Sequence, residues 1–167
     1  LDPILSAAQL ESLTGTDVVI FDCRPDDAKY RAGHVRGALH AQLDRDLASP
    51  APEPAKGGRH PLPALQDFAA RLGQWGVTPT SHVVAYDDQN GANAASRLWW
   101  LLKALGHARV QVVDGGLAAL QAAGFELTPD LPSPQSAAAY PASGWARPLA
   151  EIEEVERARL AQDRRVL

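Results

Sequence analysis

The sequence predicts an α/β domain with a mostly parallel central sheet and helices on both faces. Short continuous apolar runs alternate along the chain with segments whose apolar residues recur at helical spacing. The runs lack the apolar–polar alternation of half-exposed strands, which is typical of strands buried on both faces of a parallel sheet. Glycines such as Gly76 and Gly106 stand where the helical segments end. Together these patterns favour one doubly covered sheet.

The predicted elements follow one another along the first 125 residues. Ser6 is suited to cap a first helix that Gly15 ends. The predicted strands cover residues 18–21, a short stretch within 33–39, 83–86 and 110–113. The further predicted helices cover residues 25–32, 65–75, 94–105 and 115–123. In the helix over 94–105, Arg97 and Lys103 are expected to face solvent. The proline-rich stretch 49–63 is predicted to be an irregular surface loop.

Composition excludes several classes of function. At 167 residues, with 46% hydrophobic and 22% charged residues, the chain suits one soluble domain. A net charge of -4 and a pI near 5.7 give no reason to expect nucleic-acid or membrane partners. The single cysteine excludes an internal disulfide and a multi-thiolate metal site. We expect no metal, no cofactor and a cytoplasmic location.

The composition changes after Phe125, and the domain is predicted to cover residues 1–127. Residues 128–147 are rich in proline and serine, which predicts a linker. Residues 148–155 and 164–167 repeat the spacing of proline, helix and strand seen at the start of the chain, so 148–167 are predicted to open a second copy. A generic C-terminal helix is the alternative. The chain contains no methionine, and we expect it to be part of a longer protein.

The loop that starts at Asp87 is the candidate functional site. It joins a buried strand to a helix, an arrangement that brings backbone N–H groups and a helix N-terminus together. Arg97 could face an anion above this loop or lie on a solvated face. Trp99 and Trp100 lie about 100° apart on a helix, so one of them is expected at a packing surface.

Other reactive or polar residues could have catalytic or metal-binding roles, and each of these roles is compared with a structural one. Cys23 follows a strand beside Arg24, but a small buried hydrophobe is favoured over a nucleophile because no glycine-rich donor loop follows it. Asp22 could begin a dehalogenase-type phosphatase motif, which Arg24 disfavours by replacing its second acid. Asp87 and Asp88 could form a receiver-type Mg²⁺ pocket, which would leave the glycine-containing loop unexplained. His34 is expected to hold the backbone, with a cleft role as the alternative.

Four segments in order resemble the N-terminal half of tandem-domain rhodaneses, the thiosulfate and 3-mercaptopyruvate sulfurtransferases. The four segments are residues 21–24, 30–38, 86–100 and 113–117. The second contains Tyr30 and His34-Val35-Arg36-Gly37-Ala38, where the family usually has proline in place of Arg36. The resemblance covers residues 1 to about 125 and implies the rhodanese-like fold.

In the active domain of this family, a cysteine at the position of Asp87 carries sulfane sulfur as a persulfide to a thiophilic acceptor. A carboxylate cannot carry transferable sulfur, so residues 1–167 are expected to be inactive alone and to pack on a catalytic second domain. The resemblance makes His34 and Asp27, with Arg97 and Trp100, candidates for the wall of a substrate cleft or interdomain contact. The substrate is expected to be a small sulfur compound. A free-standing binding or regulatory module is the alternative.

Overall fold

The computed structural model describes residues 1–13, 17–50, 53, 55 and 58–161. Gly15 and residues 164–167, which were predicted to end a helix and to open a strand, lie outside the described residues. The structure is a five-stranded parallel sheet with an added two-stranded antiparallel pair, His34–Val35 with Leu127–Thr128. The spatial order of the five strands is Ile4–Leu5, Val110–Val113, His82–Tyr86, Val18–Asp22 and Leu39–His40.

The elements have the following bounds. The strands are β1 (Ile4–Leu5), β2 (Val18–Asp22), β3 (His34–Val35), β4 (Leu39–His40), β5 (His82–Tyr86), β6 (Val110–Val113) and β7 (Leu127–Thr128). The helices are α1 (Ala7–Ser12), α2 (Asp27–Ala32), α3 (Leu43–Asp46), α4 (Leu65–Gln74), α5 (Ala94–Ala104), α6 (Gly116–Ala122) and α7 (Ile152–Leu160).

The central strands β2 and β5 run in parallel register from Val18 beside His82 to Asp22 beside Tyr86. Every residue of β5 is buried, as the continuous apolar run predicted. Because the strands are parallel, the segments that follow β2, β5 and β6 all emerge at one edge of the sheet. The structure therefore confirms the α/β fold class and brings three polar loops together.

Each face of the sheet carries its own hydrophobic core. Alternate residues of β5 point to opposite cores, with Val83 and Ala85 on one side and Val84 and Tyr86 on the other. The first core contains the buried sides of α4 and α5, and the second contains those of α1 and α6. Each fully buried large apolar side chain contributes about 1.5–3 kcal/mol. Among the helices of the described residues, none combines the length and apolar character needed to cross a bilayer.

The structure adds short elements that the sequence did not predict. Strand β1 pairs with β6 at one sheet edge, and β7 pairs with β3. The predicted cap of α1 is confirmed, because the Ser6 hydroxyl accepts from the Gln9 N–H while the Gln9 side chain accepts from the Ser6 N–H.

The stretch predicted as a linker, 128–147, lies against the domain. Thr128 belongs to β7, and the chain then continues without helix or strand as far as Glu151. The N–H groups of Ala137 and Tyr140 donate to carbonyls of α4 at 2.8 and 2.9 Å, and the Tyr140 side chain is only 6% exposed. We call residues 135–146 the strap. Its role as a connection to a second domain stays a prediction.

Folding stability is expected to depend on pH through His107, a buried residue that contacts Tyr140 of the strap. The Tyr140 hydroxyl lies 2.9 Å from His107 Nδ1, while His107 Nε2 donates to the Ser81 carbonyl. Burial lowers the pKa of His107, so below about pH 6.5 the unfolded chain takes up a proton that the folded chain excludes. The free energy of unfolding should therefore fall as the pH is lowered through this range. Urea unfolding at pH 7.5 and 5.5 measures it, and the same dependence in His107→Gln would contradict the assignment.

Candidate functional site

The candidate site is the loop 87–93, which joins β5 to α5 at the carboxyl edge of the sheet. Asp87 is the first residue of this loop and is 1% exposed. The residues after β2, Cys23 and Arg24, lie at the same edge, where the Cys23 N–H donates to the Tyr86 carbonyl at 2.8 Å. The loop therefore lies at the sheet edge, where the sequence placed it.

The carboxylate of Asp87 is surrounded by backbone donors of its own loop. Its Oδ1 accepts from the N–H groups of Gln89 at 2.9 Å and Gly91 at 2.7 Å. Its Oδ2 accepts from the N–H groups of Asn93 at 3.2 Å and Ala95 at 3.1 Å. We call these four N–H groups the amide cradle. The four hydrogen bonds satisfy both oxygens of a side chain that would be costly to bury without partners.

The backbone conformation of the loop explains its residue types. Asn90 and Gly91 have positive φ angles of 57° and 80°, a region that asparagine and glycine tolerate better than other residues. At Gly116, with φ 56°, a Cβ would collide with the Asp87 carbonyl, and the next N–H, that of Leu117, donates to that carbonyl at 2.9 Å. The Gly115-Gly116 pair after β6 therefore allows α6 to pack directly on the loop.

The chemical consequence is that the anion-binding groups of the loop are already occupied. The resemblance to rhodaneses implies a nucleophile at this position in an active domain, with N–H groups free to stabilise its developing charge. Asp87 has no sulfur, and its carboxylate takes up all four donors of the amide cradle. The loop therefore keeps the shape of an anion site around a side chain that supplies the anion itself.

The environment of Cys23 does not favour a nucleophilic thiol. Its side chain is fully buried, and burial raises the pKa of its thiol well above the ordinary value. The nearby carboxylates of Asp22, Asp87 and Asp46 raise this pKa further. A neutral, buried thiol is a poor nucleophile. The prediction that Cys23 acts as a small buried hydrophobe agrees with this environment.

A buried ionic network, which the sequence reasoning missed, lies beside the loop. The carboxylate of Asp22 is 0% exposed and pairs with the guanidinium of Arg24, with a shortest distance of 2.6 Å from Nη2 to Oδ2. The Tyr86 hydroxyl donates to the same carboxylate at 2.9 Å and accepts from the Val35 N–H at 3.0 Å. Arg24 also donates to the Gly33 carbonyl. The Asp-x-Arg spacing at a strand end was the available signal.

His34 is placed inside the domain. It is 0% exposed, and because a carbonyl only accepts, its Nδ1–H donates to the Tyr30 carbonyl at 2.9 Å. The Tyr30 ring stacks with His34 and with His40, with ring centroids 4.0 and 4.4 Å apart. Burial, with the charge of Asp22, raises the pKa of Tyr30 to about 12. This geometry matches the expected structural role of His34, and its role in a cleft wall stays a prediction.

Asp27, the second candidate for a cleft wall, lies at the surface of the domain. Its side chain is 43% exposed and accepts from Arg31 at 2.6 Å, while His40 Nδ1 lies 3.4 Å away. The pKa of its carboxyl is lowered, chiefly by the hydrogen bond from Arg31. Asp27 is thus accessible in this chain, whereas His34 is not.

The orientation predicted for Arg97 is wrong. Its guanidinium donates to the carbonyls of Leu47 at 2.7 Å, His60 at 2.9 Å and Pro61 at 3.1 Å, and burial lowers its pKa. Arg97 therefore fastens Leu47, His60 and Pro61 to α5 instead of facing solvent or an anion over the loop. Of the adjacent tryptophans, Trp99 packs against the core and Trp100 remains 36% exposed.

The described residues contain no group of histidine, cysteine and acidic side chains placed to bind a metal ion. They form a parallel sheet with an amide-lined loop at its carboxyl edge. This is the edge at which open α/β domains bind ligands. The model of the rhodanese-like domain family matches residues 6–123. The chain belongs to this family.

Comparisons with individual proteins agree. The chain is 45% identical over 134 residues to "Probable 3-mercaptopyruvate sulfurtransferase" of Pseudomonas aeruginosa, covering 75% of this chain and 46% of the relative. It is 31% identical over 135 residues to "Thiosulfate/3-mercaptopyruvate sulfurtransferase 2" of Arabidopsis thaliana, covering 75% and 38%. The crystal structure of the 3-mercaptopyruvate sulfurtransferase SseA from Escherichia coli shares the fold, with a TM-score of 0.74, 23% identity and coverage of 95% and 62%. The chain thus spans about half the length or less of the curated relatives it matches.

Proposed function

We propose that this chain is the non-catalytic first domain of a two-domain sulfurtransferase. The parent enzyme would move sulfane sulfur from thiosulfate or 3-mercaptopyruvate to a thiophilic acceptor through a cysteine persulfide in a second domain. The occupied amide cradle carries the proposal, because Asp87 stands at the family's cysteine position and its carboxylate uses the four donors that a persulfide would need.

The matching relatives support a second domain, since this chain covers only 46% and 38% of two of them. Helix α7 gives a further reason. The N-cap of α7, Glu151, and the N-cap of α1, Ser6, each follow a proline by the same number of residues. Ala7 and Leu10 bury the apolar side of α1, and the corresponding residues of α7 are Ile152 and Val155. Ile152 is 73% exposed, so the apolar side of α7 is free to pack on further elements of a second domain.

In the parent enzyme, this domain would form one wall of the substrate cleft. Asp27 suits this role because its carboxylate is accessible at the carboxyl edge of the sheet. His34 would take part only by holding the backbone, through its bond to Tyr30. The choice between the two sulfur donors belongs to the second domain in this proposal.

The test compares sulfur transfer by residues 1–167 and by the full parent protein, with thiosulfate or 3-mercaptopyruvate as donor and cyanide as acceptor. We expect activity only in the full protein, and Cys23→Ser should leave it within about twofold because the thiol is buried and neutral. Full activity of residues 1–167 would refute the proposal. The proposal would also be refuted if the parent gene encoded no second domain with a cysteine in the corresponding loop. That result would favour a free-standing binding module.

A further inference from the structure

His40 is a buried histidine at the carboxyl edge of the sheet, where it ends β4. Its Nε2 lies 2.8 Å from the Arg24 carbonyl, and because a carbonyl only accepts, this nitrogen carries a proton. Its Nδ1 is also buried and has no hydrogen-bond partner in the part of the chain that the structure describes. It lies 3.4 Å from Oδ1 of Asp27, an ion-pair distance that is longer than an ordinary hydrogen bond. The protonation of Nε2 is therefore fixed, whereas that of Nδ1 depends on Asp27.

The position of Asp27 favours a proton on Nδ1 of His40. Without this proton, the Nδ1 lone pair would face a carboxylate oxygen, and two acceptors repel each other. With it, the ring is an imidazolium that faces a carboxylate, and opposite charges at this distance favour the charged form of each group. A small movement of the Asp27 side chain, which is 43% exposed, would shorten the 3.4 Å distance to that of a hydrogen bond. The arrangement thus suits a doubly protonated ring.

The groups that touch the pair also suit a positive charge on His40. The Tyr30 ring stacks with His40 at 4.4 Å, with 9° between the ring planes, and an aromatic face attracts a cation. The second oxygen of Asp27, Oδ2, accepts from Arg31 at 2.6 Å, so each carboxylate oxygen faces a different partner. The pKa of this carboxyl is lowered, chiefly by Arg31 and to a smaller extent by His40.

Other charges near the pair do not replace Asp27. The charged or titratable groups on the elements packed around it are Tyr30, Arg31, His34, Asp22, Arg24 and Arg45. Asp22 pairs with Arg24 at 2.6 Å, so their charges offset each other. Arg31 and Arg45 both act on Asp27. Within this set, Asp27 is therefore the negative charge that acts on His40.

We propose that His40 and Asp27 form a proton-dependent clamp at the carboxyl edge of the sheet. In the closed clamp, His40 carries two protons and its Nδ1–H donates to Asp27, which is held between His40 and Arg31. When the pH rises through the range in which histidine titrates, Nδ1 loses its proton to solvent and Asp27 is released from His40. The clamp is therefore closed at low pH and open at high pH, as long as Asp27 itself is ionised.

The clamp would regulate donor binding in the parent enzyme, an inference that rests on the proposed function. Asp27 is a candidate for the wall of the substrate cleft, and thiosulfate and 3-mercaptopyruvate are both anions. A carboxylate that two cations share repels an anion less than a carboxylate that Arg31 alone neutralises. Donor binding should therefore weaken as the pH rises and the clamp opens.

The first test follows the ring nitrogens of His40 by ¹⁵N NMR in residues 1–167. At the pH where half of His40 carries two protons in the unaltered chain, Asp27→Asn should leave at most about a quarter of it doubly protonated, because the attracting charge is gone. A second pair provides the matched control, since His60 Nε2 lies 3.0 Å from Asp44 Oδ1. Asp44→Asn should leave His40 unchanged. An unchanged His40 in Asp27→Asn would overturn the clamp.

The second test measures KM and kcat for thiosulfate in the full parent protein between about pH 6 and 8. His40→Gln keeps a donor for the Arg24 carbonyl but cannot titrate. Relative to this variant, the KM of the wild type should rise at least about threefold over the range, with little difference in kcat. His60→Gln, the matched control, should follow the wild type.

The outcomes of the second test separate the clamp from the proposed function. Parallel KM profiles for the wild type and His40→Gln would overturn the regulation of donor binding, and continued sulfur transfer by the full protein would leave the proposed function standing. Absence of sulfur transfer by the full protein would refute the proposed function, and the NMR measurement on residues 1–167 would still decide whether the clamp exists.

Discussion

Replacing Asp22 with asparagine should lower the free energy of unfolding by about 3–5 kcal/mol, because it removes one partner of a buried ion pair. The carboxylate is fully buried and holds both Arg24, at 2.6 Å, and the Tyr86 hydroxyl, at 2.9 Å. In the variant, the Arg24 guanidinium would stay buried without a counter-charge. Urea unfolding at neutral pH measures the loss.

Asp17→Asn is the matched control for that experiment. Asp17 also pairs with an arginine, Arg109, at 2.7 Å, but both side chains are nearly half exposed. Exposed pairs of this kind contribute less than about 1 kcal/mol, so Asp17→Asn should be nearly neutral. A similar small loss for both variants would show that the buried network does not stabilise the strand ends.

Replacing Asp87 with alanine should destabilise the domain by about 3 kcal/mol. The amide cradle would lose its acceptor, and two of its donors, those of Gly91 and Ala95, are buried, at a cost of about 1–3 kcal/mol for each unsatisfied group. The other two donors are partly accessible to water. Urea unfolding of the purified chain measures the effect.

The neighbouring variant Asp88→Ala serves as the control, because Asp88 is exposed and its Oδ2 lies 3.4 Å from Lys29 Nζ in an exposed ion pair. We expect a change below about 1 kcal/mol there. Added formate should recover part of the stability of Asp87→Ala by entering the vacated cradle, whereas chloride at equal ionic strength should not. Losses of equal size in the two variants would contradict the role given to the cradle.

Sequence patterns predicted the central sheet because burial on both faces requires continuous apolar runs, as in β5. They could not predict β1 or β7, whose two residues become strands only through distant partners, β6 and β3. The predicted orientation of Arg97 was wrong. Helical spacing gives the direction of a side chain around the helix axis, but it does not show which other parts of the chain accept its hydrogen bonds.

The sequence predicted where the Asp87 loop lies in the fold but not the hydrogen bonds that its carboxylate accepts. Asp87 was correctly placed after a strand at the sheet edge, but the groups that surround it are backbone N–H groups, which no residue letter encodes. A structural role was favoured for Cys23 because no glycine-rich donor loop follows it in the sequence, and the complete burial of its side chain agrees with that role. The buried pair of Asp22 and Arg24 was treated as separate residues, since a pattern does not reveal that a strand end turns both side chains toward each other.

The strap changes where this domain can be cut. The match to the family model ends at residue 123, and composition suggested a boundary at 127, yet Tyr140 fills the core beside His107 and Trp145 packs against it. A protein truncated at either point would open a hole over α4 and α5 and expose Phe68 and its neighbours to water. The smallest unit suitable for expression, domain swaps or insertion of a hinge therefore runs through residue 146, with freedom to vary the chain only beyond it.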